Sequence, residues 1–115
     1  MKVILTGSTG FVGGNLLKFL SKGTEIIQLN LRTKLIAELE VDVTAIIHLA
    51  GKAHDFKNTS RPEEYYQVNT ELTKQIFDSF LTSDSSVFIY MSSVKAVADS
   101  VVGILNEDCV PNPQT

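Results

Sequence analysis

The sequence predicts an α/β protein built on a parallel β-sheet with helices on both faces, and three observations carry that prediction. Short apolar, β-branched runs such as Val3–Leu5 alternate along the chain with stretches of helical hydrophobic spacing, the order that makes βαβ units and parallel strands. One run, Val43–Ala50, is apolar on both faces of its pleat, as a central strand covered on both sides must be. Glycines at 7, 10 and 13 separate the first apolar run from the first helical stretch, a strand, tight turn and helix start in that order.

Composition narrows the function classes. A chain of 115 residues makes one small domain, and 43% hydrophobic with 20% charged residues is globular rather than disordered composition. A net charge of −3 leaves no basic surface to ask for nucleic acid or an anionic membrane. The single cysteine, Cys109, allows no internal disulfide and fits a reducing cytoplasm. Met1–Leu5 meets glycine too soon to be a signal segment, and no apolar run reaches the length of a membrane span.

Taken in order, the first strand is Lys2 to Thr6, and the first helix runs from Phe11 to about Lys22. Val12, Leu16, Phe19 and Leu20 fall on one face of it, and Gly23 stands as the C′ stop. Unpaired helix N–H groups and the positive end of the helix dipole suit a nucleotide pyrophosphate. Of the three glycines, one permits the turn, one removes a Cβ from the path of the phosphate, and one lets helix pack on strand. An ordinary βα turn also uses glycine. Three at this spacing, between a strand and a helix, favour nucleotide binding.

The second strand is Glu25 to Leu31. An acidic residue about 20 positions past such a loop commonly holds the adenosine ribose, and here that place is Asn30. An amide does not repel a 2′-phosphate, and Arg32 and Lys34 lie close enough to pair with one. Read instead as solvated charge at a strand end, the same residues select nothing, so NAD and NADP both stand, with charge leaning to NADP. Between Thr33 and Asp42 there is room for a short helix carrying Leu35, Ile36, Leu39 and Val41, and hardly for a further strand.

The central strand, Val43 to Ala50, ends in small residues, Ala50 and Gly51, that suit close approach of a ligand. His48 is read as a satisfied sheet-end histidine rather than a base. His48 and His54 have no further ligands at zinc-like spacing, so no metal site is expected. A long helix follows, with Ser60 as candidate N-cap, Pro62 in the first turn and Glu63 and Glu64 complementing the dipole. It runs to about Leu81 with Tyr65, Val68, Leu72, Ile76 and Phe80 at helical spacing. Asn69 falls in this core-facing stretch and is expected to bridge to neighbouring strand backbone, since a buried amide is costly unless paired. A last strand, Ser86 to Met91, delivers Ser92 and Ser93. Neither has an acid and a base at triad spacing. Val94 to Thr115 reads as loop, and Cys109 as an inert thiol.

Five stretches, in order, together resemble the extended short-chain dehydrogenase/reductase family. They are the glycine loop with Thr6 before it and Phe11-Val12-Gly13 after it, His48-Leu49-Ala50-Gly51, Tyr66–Thr70 around Asn69, Ser92-Ser93, and Glu107-Asp108 followed by Pro111 and Pro113. The chain is similar to the N-terminal half of a nucleotide-sugar epimerase or dehydratase. The resemblance implies a Rossmann-type doubly wound parallel sheet, truncated to about four strands with helices on both faces, binding NAD or NADP. It assigns Gly7, Thr9, Gly10, Phe11, Val12, Gly13, Asn30, Arg32, Leu49, Ala50, Gly51 and Asn69 to the cofactor. Ser93, with Ser92 as second choice, is assigned to the reacting substrate oxygen.

The family also needs a Tyr-x-x-x-Lys pair, and here Tyr65, Tyr66 and Tyr90 are followed four places on by Asn69, Thr70 and Val94. A further departure is the missing room for the third strand and its acidic contact to adenine. Residues 1–115 are therefore expected to be an incomplete dinucleotide-binding domain of a longer parent enzyme, without its substrate-binding part and silent by themselves. In the parent, the resemblance implies hydride transfer from a nucleotide sugar through a keto-sugar, with a tyrosine moving the hydroxyl proton. The competing reading is a non-catalytic nucleotide-binding or sensor module, and a weaker one is a flavin-binding domain. The expected partners are a nucleotide sugar and a second copy of the chain, as a homodimer or larger species, with no nucleic acid and no membrane.

Overall fold

The computed structural model describes residues 1–20, 22–31, 42–52 and 61–113. Strand β1, Lys2–Thr6, leads through the glycine turn into helix α1, Phe11–Leu20. Strand β2, Glu25–Leu29, and strand β3, Ala45–His48, follow. A continuous helical rod comes next, made of α2, Pro62–Tyr66, one π-helical turn, Gln67–Glu71, and α3, Leu72–Leu81. Strand β4, Val87–Tyr90, and a 3₁₀ turn, Val94–Ala96, complete it. The strands lie in the order β2-β1-β3-β4 and every pairing is parallel, the central run of a Rossmann-type sheet.

Strand alternation divides the core between two helical layers. Ile4, Leu29, Val43 and Ile46 face Ile76 and Leu72 of the long rod, while Val3, Leu5, Ala45 and Ile47 face Leu16, Leu17 and Leu20 of α1. Consecutive residues of β1 and β3 are thus buried on opposite sides, as the two-faced apolar pattern of Val43–Ala50 predicts. Each Val, Leu or Ile side chain among them contributes about 1.5–3 kcal/mol when taken fully out of water, so these two strands supply most of the sheet's hydrophobic stabilisation.

The sheet-facing stripe of α1 differs from the expected one. Leu16 and Leu20 turn inward as expected, but Val12 and Phe19 are exposed, and Gly13 and Leu17 take their places on the sheet side. The cause lies at the helix start. Gly13 is seated against the Gly7 carbonyl so closely that a Cβ there would collide with it, which fixes the helix's rotation and swings Val12 and Phe19 outward. Gly23 holds φ at +93° where the helix has ended, as expected of a C′ glycine.

Other boundaries are tighter than expected: β2 stops at Leu29 and β3 spans only Ala45–His48. The long helix keeps its predicted stripe, with Ile76 buried and Val68, Leu72 and Phe80 half-buried. Its π turn around Asn69 was not legible in the spacing. Arg61 occupies the N-cap position with no side-chain capping bond. Ser60, Lys34, His54 and the short helix expected over residues 35–41 lie outside the described residues. On β4, Phe88 packs against Phe77 and Phe80, but Val87 and Ile89, on the side that α1 covers elsewhere, remain 44% and 45% exposed.

Candidate functional site

The candidate site forms where β1 and β3 end side by side. Thr6 and His48 are register partners across the ladder, and both are fully buried. The Thr6 hydroxyl oxygen accepts the amide hydrogens of Leu49 at 3.2 Å and Ala50 at 3.1 Å and lies 2.7 Å from His48 Nδ1. A hydroxyl offers two lone pairs and one proton. With both lone pairs facing amides, its proton is left for Nδ1, and a ring with its own proton on Nε2, 2.9 Å from Thr73 Oγ1, completes that pattern. Burial holds the His48 pKa below its ordinary value, consistent with a neutral ring. The Tyr90 ring stacks on it at 5.6 Å.

The turn after Thr6 is built from three glycines with three separate reasons. Gly7 has φ +68°, and a Cβ on it would lie 2.6 Å from the Ala50 nitrogen and from the Leu49 carbonyl carbon. Gly13 admits α1 against the Gly7 carbonyl. Gly10 is different, because a Cβ there would approach nothing nearer than the Gly7 oxygen at 3.3 Å. Packing demands the first and last glycine. The middle one lines the groove and meets only this milder contact. The Gly10 amide donates to the Gly7 carbonyl at 3.0 Å and closes the turn.

Between this turn and the β3 exit lies a groove of about 800 Å³. Gly7–Gly10 line one wall, Leu29–Leu31 the β2 end, Leu49–Lys52 the other wall, and Val68 and Leu72 the floor. The rod pins that second wall: Asn69 Oδ1 accepts from the Lys52 amide at 2.7 Å and Asn69 Nδ2 donates to the Lys52 carbonyl at 2.9 Å. This is the backbone bridge expected of Asn69, made just past the strand rather than within it. The Lys52 ammonium pairs with Glu64 and lies 5.1 Å from the centre of the Tyr65 ring.

Of the residues singled out from sequence, Gly7, Thr9, Gly10, Asn30, Leu49, Ala50 and Gly51 come together around this groove. Gly13 and Asn69 shape it from behind. Phe11 and Val12 open α1 but are solvent-exposed and do not line the groove. Arg32 lies outside the described residues. Ser92 and Ser93 follow β4, exposed and away from the groove lining, and Ser93 Oγ accepts the Lys95 amide at 3.3 Å. Sequence reasoning passed over Ser8, Leu29, Leu31, Lys52, Val68 and Leu72. Val68 and Leu72 carry the same helical spacing as core residues, whereas Lys52 was findable as the next residue along the β3 exit. Among the described residues no group of three His, Cys, Asp or Glu side chains is arranged to hold a metal, and no helix is long and apolar enough to cross a membrane.

Known proteins share this fold. Residues 3–115 match the profile of the NAD dependent epimerase/dehydratase family. A UDP-2-acetamido-2,6-beta-L-arabino-hexul-4-ose reductase of Pseudomonas aeruginosa is 32% identical over 109 residues, covering 90% of this chain and 28% of the reductase. A UDP-glucose 4-epimerase of Vibrio cholerae is 30% identical over 115 residues, 81% of this chain and 35% of the epimerase. The crystal structure of a UDP-glucuronic acid 4-epimerase from Bacillus cereus, in complex with NAD, superposes with a TM-score of 0.81 at 20% identity, over 100% of this chain and 47% of that one. The chain spans about a third of the length of the curated relatives it matches. Its glycine turn, its sheet order and a profile match over nearly every residue agree, and the chain belongs to the NAD dependent epimerase/dehydratase family.

Proposed function

We propose that this chain is the dinucleotide-binding portion of an NAD(P)-dependent nucleotide-sugar epimerase, dehydratase or reductase, an incomplete domain whose substrate-binding part is not among residues 1–115. The observation that carries the reading is the Gly7–Gly10–Gly13 cradle: two glycines are demanded by packing, and the third lines the groove with no backbone collision to account for it. The groove fits an extended dinucleotide. The turn and the first amides of α1 would receive the pyrophosphate. Asn30, at the β2 end of the groove, would bond the adenosine ribose. Leu49, Ala50 and Gly51 would lie along the nicotinamide half, with Asn69 holding their wall in place. When bound, the nicotinamide supplies hydride acceptance and return.

This chain's own residues bind and orient. In the complete protein Ser93, or Ser92, would hydrogen-bond the sugar oxygen whose carbon is oxidised. No tyrosine here has a lysine four positions on, so residues 1–115 alone hold no paired acid/base and turn over no nucleotide sugar. The exposed Val87 and Ile89 beside the β4 edge favour self-association, since such edges and patches tend to be covered. A lone cysteine fits a cytoplasmic setting.

Calorimetric titration tests the reading. The chain should bind NAD or NADP saturably, and Gly10→Val should abolish binding while the circular dichroism spectrum stays near wild type. No saturable binding of either dinucleotide overturns it. Binding without turnover in the full-length protein would favour the sensor module.

A further inference from the structure

Leu49 and Ala50 both line the groove, yet they lie past the end of β3. Their amides are instead held by one side-chain oxygen, that of Thr6, the residue just before Gly7. A threonine hydroxyl rotates to suit its surroundings, so something must fix its proton away from the two amides. His48 Nδ1 is placed to do so at 2.7 Å. The ring cannot turn freely, because its far nitrogen is tied to Thr73 on α3 and its face is stacked on Tyr90.

We propose that the Thr6–His48–Thr73 chain is the positioning element of the groove, with His48 in its Nε2–H form aiming the Thr6 hydroxyl so that a single oxygen holds the Leu49 and Ala50 amides against Gly7. This rests on reading the groove as a dinucleotide site. The gap at stake is small. Gly7 approaches the Leu49–Ala50 peptide so closely that even a Cβ has no room, so any outward movement of that peptide changes the distance between the two walls. Thr6 and His48 touch no ligand in this scheme. They act through the backbone of Leu49 and Ala50, and through Thr73 the long rod that carries Asn69 joins the same unit.

The test combines two chemically conservative and two disruptive variants of the chain. Thr6→Ser keeps the oxygen, and His48→Asn keeps an acceptor near the Nδ1 position. Thr6→Val and His48→Leu remove them. Thr6→Val leaves both amide donors unpaired and His48→Leu leaves the Thr6 hydroxyl proton free to compete with them, so NAD binding should weaken by about tenfold or more in the disruptive pair. Leu49 and Ala50 amide exchange should accelerate to a similar degree, with Leu5 and Ile46 unchanged. The conservative pair should stay within about threefold of wild type on both readouts. In the wild type, ¹⁵N spectra should find the His48 proton on Nε2. A proton on Nδ1, or Leu49 and Ala50 exchanging alike in wild type and Thr6→Val, overturns the proposal. So does equal loss of protection across every core amide, which marks a merely structural role. Should the disruptive variants fail to fold, the tautomer and the conservative pair still decide. If the wild type binds neither NAD nor NADP, the dinucleotide reading fails, while exchange and tautomer still judge the positioning.

Discussion

At the ends of β1 and β3 every polar side-chain atom of Thr6 and His48 is bonded within the protein, whereas at the end of β4 Ser92 and Ser93 are exposed and, among the described residues, Ser93 receives one bond, from the Lys95 amide. The first region is sandwiched between α1 and the long rod. Among the described residues the second has helix packing on one side, with Val87 and Ile89 half-exposed on the other. A buried polar group must carry its partners with it, because leaving one unpaired costs about 1–3 kcal/mol. An exposed one has water and needs none. The groove at β1 and β3 is therefore held by contacts within the chain, while Ser93 is held by one exposed amide contact.

Substitutions should separate the two regions, and Gly7→Ala should do so most sharply. It forces a Cβ into the Leu49–Ala50 backbone at φ +68°, adding about 1–2 kcal/mol of left-handed strain to about 1–3 kcal/mol of overpacking. Urea unfolding should find the variant destabilised by several kcal/mol, and a loss under about 1 kcal/mol would show that the two walls part easily.

Asn69→Ala should come next. It leaves the Lys52 N–H and carbonyl without their partner, and a loss of about 1–3 kcal/mol is expected in the same assay. On the binding side, Asn30→Asp should move the NAD-to-NADP affinity ratio toward NAD by about 1–3 kcal/mol, the size of one charged hydrogen bond or its repulsion. An unchanged ratio removes Asn30 from the site.

Acid should also act on one region and not the other. The His48 pKa is lowered in the fold by burial, so the unfolded chain takes up its proton first. The stability contributed by neutral His48 is complete above about pH 6.5. It is lost as the pH falls below that value toward the folded pKa, at no more than about 1.4 kcal/mol per pH unit. His48→Asn should flatten this limb of the stability profile, and a limb that persists unchanged would assign the effect to another group. The smallest effect is expected at β4: Ser93→Ala should stay within about 0.5 kcal/mol of wild type, because its oxygen holds one exposed amide.

The sequence by itself determined the alternation of strands and helices, the two-faced burial of β3, the glycine turn, the C′ role of Gly23 and the backbone bridge from Asn69. Most of these are local, set by periodicity or by a dihedral that glycine tolerates, and the Asn69 bridge, 17 residues to Lys52, follows from the need to pair an amide in a core-facing stretch. The tertiary structure alone decided which face α1 presents, because that rotation follows from the contact between Gly13 and Gly7, residues whose side chains carry no hydrophobic signal. It also decided that Val68, Leu72 and Lys52 belong to the groove and that Phe11, Val12 and the two serines stand outside its lining. His48 is the clearest case. Its type and its place in an apolar run predict a satisfied histidine, but its partners are Thr6 and Thr73, 42 and 25 residues away. Only the parallel register of β1 on β3 and the docking of the long rod bring those hydroxyls to its two nitrogens.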